Sequence, residues 1–212
     1  MKKYLALIIA LALFSCEGNI EIQLPKANKT IVADVQEHSP IYIFFKMEGK
    51  DTIADVNRKN SIVSTNWIFN IDKRLPLRLV IPELIKLQAK KDGSMHKNEA
   101  AENFFSYAND VKKTMAFLPF TKVKFVIGKP KTGVIVYFAK NKKVVVNGIE
   151  VKKEELKNYL NQLQNQKSYK INFCIDKKCS YDDYLKILVF SEESNAFTNK
   201  LIEFDRQKQF VY

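Results

Sequence analysis

The chain has 212 residues, 46% of them apolar and 12% aromatic, with only 6 Gly and 6 Pro. That composition suits one medium or two small globular domains and excludes a disordered, collagen-like or low-complexity chain. Lys and Arg number 35 against 23 Asp and Glu, a net charge of +12. The excess is Lys scattered from Lys26 to Lys208 without an Arg cluster, which reads as a solvated surface first and as attraction to anionic lipid or cell-wall polymer second.

At the amino end, Lys2-Lys3 precede an apolar run over residues 4–14, and Ser15-Cys16 follows. The run is too short to span a hydrocarbon core, which needs about 20 residues. A basic n-region, a greasy h-region and a cysteine at a small-residue cleavage point resemble a bacterial lipoprotein signal. The resemblance implies that residues 1–15 are removed, that Cys16 carries the lipid, and that residues 16–39 are a tether outside the cytoplasm. The outer membrane is expected ahead of the inner one.

In the first half, residues 40–47 read as a strand closed by Glu48-Gly49-Lys50-Asp51, with a poorer strand through Thr52-Ile53-Ala54. Asn60 or Ser61 caps a short helix to Asn70, and residues 75–81 read as a strand with Leu77, Leu79 and Ile81 on one side. Phe104, Phe105, Ala108, Val111, Lys112 and Met115 share one stripe at helical spacing, which predicts a helix over 98–118. Alternation of Val123, Phe125 and Ile127 predicts a last strand before Gly128-Lys129-Pro130.

The second half is written more clearly. Residues 132–139 are β-branched and aromatic, 143–146 form the returning strand, and Asn147-Gly148 is the strongest turn signal in the chain. Leu156, Tyr159, Leu160 and Leu163 mark a helix over 152–163, opened by Glu154 and Glu155 where the helix dipole favours acids. Tyr169, Ile171, Phe173 and Ile175 alternate as a strand. Ser180 and Asp183 form a weak capping box ahead of Tyr184, Leu185, Leu188 and Val189, and residues 201–204 close the sheet. The expected fold is α+β: two tandem ββαβαβ domains, 40–130 and 131–212, each a four-stranded mixed sheet with two helices on one face.

Few residues invite chemistry. His38 and His96 sit apart in polar sequence without ligand spacing, so no metal is expected. No Gly-rich phosphate loop and no Ser/His/Asp set is present. The adjacent Asp182-Asp183 would point about 100° apart on a helix, which suits a helix start better than paired catalysis. Cys174 and Cys179 are separated by four residues and read as a structural disulfide or as two free buried thiols. No catalytic residue and no cofactor is expected.

Val145-Val146-Asn147-Gly148-Ile149-Glu150-Val151, then Glu154-Glu155-Leu156, Ile171-Asn172-Phe173-Cys174-Ile175-Asp176 and the Tyr181-led helix resemble the periplasmic domain of ExbD/TolR biopolymer transport proteins. Leu24-Pro25 within Gly18-Asn19-Ile20-Glu21-Ile22-Gln23-Leu24-Pro25-Lys26-Ala27 is similar to the segment that follows that family's membrane helix. The stretches around 110–113 and 122–126 are similar to its last helix and strand, while Pro82-Glu83 stands where its strand-terminal aspartate would be. The family's membrane aspartate has no counterpart in residues 4–14, so proton-driven gating by this chain is not expected. The resemblance implies a non-enzymatic, lipid-anchored module at the periplasmic face. It would bind ExbB/TonB/Tol-type proteins or peptidoglycan, as a homodimer or an internal pseudo-dimer, and not nucleic acid. Two alternatives are a true transporter subunit with an uncleaved amino end and a small ligand-binding lipoprotein.

Overall fold

The computed structural model describes residues 21–163, 169–193 and 202–212. Cys16, the signal segment 1–15 and Leu201 lie outside the described residues. Among the described residues the fold is mixed α+β, with two six-stranded sheets and three α-helices.

The first sheet holds β1 (Lys26–Ala27), β2 (His38–Glu48), β3 (Asp51–Asn57), β4 (Asn66–Ile71), β5 (Asn103–Asn109) and β6 (Thr114–Pro119). Its centre is the parallel triplet β2-β4-β5, with β3 and β6 antiparallel on the outer edges and β1 parallel beside the end of β5. Helix α1 (Leu77–Asp92) makes the crossover from β4 to β5 that a parallel pair requires. Ile41 and Ile43 point inward at alternate positions of β2, and Leu77, Val80, Ile81, Leu84 and Leu87 form the buried stripe of α1.

The second sheet runs β10 (Ile149–Val151), β9 (Val144–Val146), β8 (Val134–Phe138), β11 (Tyr169–Ile175), β12 (Ile202–Val211) and β7 (Lys124–Ile127). It too has a parallel triplet, β8-β11-β12, flanked by a hairpin and extended by β7. A one-turn 3₁₀ segment, Lys153–Glu155, leads into α2 (Leu156–Leu163), and α3 (Tyr181–Glu193) links β11 to β12. Asn147 (φ 49) and Gly148 (φ 91) make the tight turn of the β9–β10 hairpin that this dipeptide favours. Gly133 is obligatory for another reason: at φ +95, an added Cβ would stand 2.6 Å from the Lys170 carbonyl oxygen.

The coarse fold class holds, but the expected pair of four-stranded ββαβαβ units does not describe it. Each sheet has six strands, because β1 and β6 join the first and β7 and β10 the second, β1 and β7 through pairings remote in sequence. Among the described residues the first half has one helix, and the expected short helix ending at Asn70 is instead a loop and β4. Residues expected as a strand over 75–81 lie in α1, which carries Pro82 in its interior. The helix expected over 98–118 is β5, a turn and β6. Strand β5 is buried on both faces, with Phe105 and Tyr107 in the main core and Phe104 in a smaller cluster with Val35 and Ile68. Two-sided burial erased the alternation that marks a half-exposed strand. Residues 124–127, placed in the first domain by the sequence, pair with β12 in the second sheet.

One hydrophobic core runs through both halves. Helix α1 reaches β7 of the second sheet and α3 reaches β1 of the first. Phe105 stacks on Phe120 at 3.7 Å between ring centroids and meets Tyr181 and Tyr184 of α3 edge-on at 5.8 and 6.2 Å. Such aromatic pairs add about 0.5–1.5 kcal/mol each beyond the area they bury.

Candidate functional site

Strands β4 and β11 are each followed directly by an aspartate, Asp72 and Asp176, and a short turn into α1 or α3. The Asp72 amide donates to the Ile43 carbonyl at 3.0 Å, and the Asp176 amide donates to the Phe138 carbonyl at 3.0 Å. The expectation that Pro82-Glu83 replaces the first of these aspartates is corrected: Asp72 occupies the strand end, and Pro82-Glu83 is helical.

The two turns meet head to head. Leu77 N donates to Cys179 O at 2.9 Å, and Tyr181 N donates to Leu75 O at 2.8 Å. Beside them Arg78 N donates to Lys177 O at 2.8 Å, and Asp182 N donates to Lys73 O at 3.1 Å. The first amides of a helix have no partner within it and must find an acceptor elsewhere. Here each turn supplies backbone carbonyls to the helix of the other half. Helix α3 has in addition its own cap, with Asp183 N donating to Ser180 Oγ and Ser180 Oγ donating to Asp183 Oδ2, as the sequence suggested. The α1 cap residue is Pro76, which offers no side-chain cap.

Asp72 is fully buried. Burial alone would push its carboxyl up. The paired Arg74 side chain (Nε 2.8 Å, Nη2 2.7 Å) and the amides of Arg74 and Gln23 outweigh that and hold it below the ordinary value. Asp72 thereby fastens the incoming chain: Gln23 N donates to Asp72 Oδ2, and Lys73 N donates to Gln23 O at 2.7 Å. Leu24 and Pro25, singled out in the sequence, lie in this fastened segment, with Ala108 N donating to Pro25 O. Lys26 N donates across to Asp182 Oδ1 of the other half. Asp176 is more open, accepting from the amides of Lys178 and Lys140.

Around this junction lies a shallow groove of about 490 Å³ lined by Arg74, Pro76, Arg78, Lys140, Lys178, Ser180 and Asp183. Arg74 is paired with Asp72, but among the described residues Arg78, Lys140 and Lys178 are in no ion pair. Asp183, the groove's one acid, already accepts the Ser180 hydroxyl. The arrangement presents several uncompensated cations on a rigid frame, suited to holding an anionic surface rather than to activating a nucleophile. Sequence reasoning missed it because its residues are far apart in the chain and each reads alone as a solvated lysine or arginine.

A second concavity, about 300 Å³, opens between the 118–123 segment and α3, lined by Phe120, Val123, Phe173, Leu188, Ser191 and Gln209 among others. Two of its polar side chains are engaged: Gln209 Oε1 accepts from the Tyr184 hydroxyl at 2.7 Å, and Ser191 Oγ donates to Ile187 O. Of the other residues singled out, Asn147 accepts from Ile135 N on the far hairpin, away from Asp176 and Tyr181. Tyr181 opens α3 and is wholly buried, and its hydroxyl has no hydrogen-bond partner among the described residues. Cys174 and Cys179 are free thiols in the structure, both buried, and burial pushes each up to about 12. Neither is a nucleophile at neutral pH. Among the described residues no group of three His, Cys, Asp or Glu could hold a metal, and no described helix is long and apolar enough to cross a membrane. Comparison with family models, curated proteins and solved structures finds no match.

Proposed function

We propose that this chain is a lipid-anchored, non-enzymatic docking module of the extracytoplasmic face, an ExbD/TolR-like unit present twice in one polypeptide. The single observation that carries the reading is the reciprocal backbone pairing of the Asp72 and Asp176 turns. Equivalent positions of two strand–Asp–turn–helix units bond to each other across a local pseudo-twofold axis, as two subunits of a symmetric dimer would. The parallel triplets β2-β4-β5 and β8-β11-β12 support the same duplication. On this reading the first unit has lost the helix before its central strand, and the two sheets are elaborated four-stranded cores. The chain has an internal partner, which leaves its exposed edges and basic groove for an envelope protein of the TonB/Tol type or for cell-wall polymer.

Two measurements test it. Mass spectrometry of the mature protein is expected to find Cys16 as an acylated first residue. A chain beginning at Met1 would refute the anchor and favour a transporter subunit with a retained amino end. Sedimentation in mild detergent is expected to give one polypeptide per particle at micromolar concentration, and a stable dimer would remove the internal pseudo-dimer.

A further inference from the structure

We infer that the basic groove at the pseudo-twofold junction is a docking face for the anionic phospholipid headgroups of the membrane that holds the chain. This rests on the lipid-anchor reading and adds an orientation to it. Two independent observations converge. The first is charge: Arg74, Arg78, Lys140 and Lys178 line one shallow groove, and Lys73 and Lys177 belong to the same two turns. The acids nearby are spent. Asp72 is buried against Arg74, Asp176 caps the Lys140 and Lys178 amides, and Asp183 accepts from Ser180 with Lys142 at 3.9 Å. Asp182 is bonded to Lys26 N and to Lys186.

The second observation is the path of the chain. Gln23 is bonded to Asp72 and Lys73, one residue from Arg74. Six residues lie between it and Cys16, and the seven steps, at no more than about 3.6 Å each, span at most about 25 Å. An acyl group on Cys16 therefore holds the groove within that distance of the bilayer. The far end of α1 stands away, since its 16 residues extend about 24 Å from the junction. Cations held this near an anionic surface are drawn onto it, and the attraction fades with added salt. Peptidoglycan offers negative charge too, but nothing in the chain's path brings it to this end. The acyl group keeps the protein on the membrane; the groove decides which side faces down.

The test is lysine footprinting of the native acylated protein in vesicles, using a water-soluble acylating reagent read by mass spectrometry. Lys140, Lys177 and Lys178 report on the groove, while Lys59 and Lys90, which line a hollow at the opposite end, are internal references. On vesicles of 70% phosphatidylcholine and 30% phosphatidylglycerol, groove lysines are expected to react at least threefold more slowly relative to the references than on pure phosphatidylcholine. Salt at 0.5 M should abolish the difference. Equal reactivity on the two vesicles, with the acyl group present on Cys16 in the same spectra, overturns the docking face and leaves the anchor reading intact. Absence of the acyl group overturns the reading beneath it. Equal protection on neutral vesicles by soluble peptidoglycan fragments would make the groove a polymer site and also overturn the proposal.

Discussion

Tyr181 and Tyr184 stand three residues apart on α3, both fully buried, yet removal of their hydroxyls should have opposite effects. The Tyr181 hydroxyl lies in the core between the two halves without a partner among the described residues, and a buried polar group left unpaired costs about 1–3 kcal/mol. Tyr181→Phe deletes that cost and leaves a void of one oxygen, so a net gain of about 1–2 kcal/mol is expected. For a chain of this length that raises Tm by about 2–8 °C. Tyr184→Phe breaks the 2.7 Å bond to Gln209 and removes one partner from a buried acceptor, for a loss of about 1–3 kcal/mol. Urea unfolding followed through Trp67, the only tryptophan and buried, reads both variants against the parent at equal m-value. If Tyr181→Phe were destabilising, the hydroxyl would have a hidden acceptor and the reasoning would fail.

Gly133→Ala should cost at least about 2 kcal/mol in the same assay, because its Cβ has no room beside Lys170 O and φ +95 is hostile to it; an unchanged midpoint would refute the close approach. Asp72→Asn should cost about 2–3 kcal/mol and speed hydrogen exchange at Gln23 and Lys73, since it weakens the bidentate pair and the amide bond to the incoming chain. A variant with parental exchange there would contradict the fastening. Because the folded Asp72 carboxyl titrates below its ordinary value, its contribution is present above about pH 4 and is lost as pH falls through the folded value. At the alkaline end two effects oppose each other. Lys91, lowered to about 8 by burial, makes the folded state release its proton first, so stability rises with pH from about 8. Cys174 and Cys179, pushed up to about 12, ionise in the unfolded chain from about pH 9, and each then subtracts up to about 1.4 kcal/mol per pH unit. Stability under reductant should therefore peak near pH 9 and fall steeply above 10; a flat profile from 8 to 11 would count against these burials.

Legibility differed between the halves for physical reasons. In the second half, Asn147-Gly148 and the Leu156–Leu160 spacing matched a turn and a helix that keeps one face exposed. The alternation over 169–175 matched β11, which is buried on both faces over 171–175 but carries Lys170, Asn172 and Cys174 between its large apolar residues. In the first, Pro82 inside α1 and the apolar run before it imitated a strand end. The doublet Phe104-Phe105 imitated a helix stripe because β5 buries both faces. The partners of β7 and β1 are not local, so no pattern within those segments announces their sheets. For the candidate site, Asp176, Tyr181, Leu24 and Pro25 were visible and all lie at the junction. Asp72 was missed through the misplaced strand, and the groove's cations assemble only when the two halves meet.

The bonds that join the two turns are made by main-chain groups, with Lys73 and Leu75 matched by Lys177 and Cys179. Such a clasp is nearly indifferent to which side chains occupy it, so substitutions can accumulate there freely. It is intolerant of a change in length, because one inserted or deleted residue would shift every carbonyl out of line with its amide. Drift of sequence at constant spacing is therefore the mode of divergence this architecture permits.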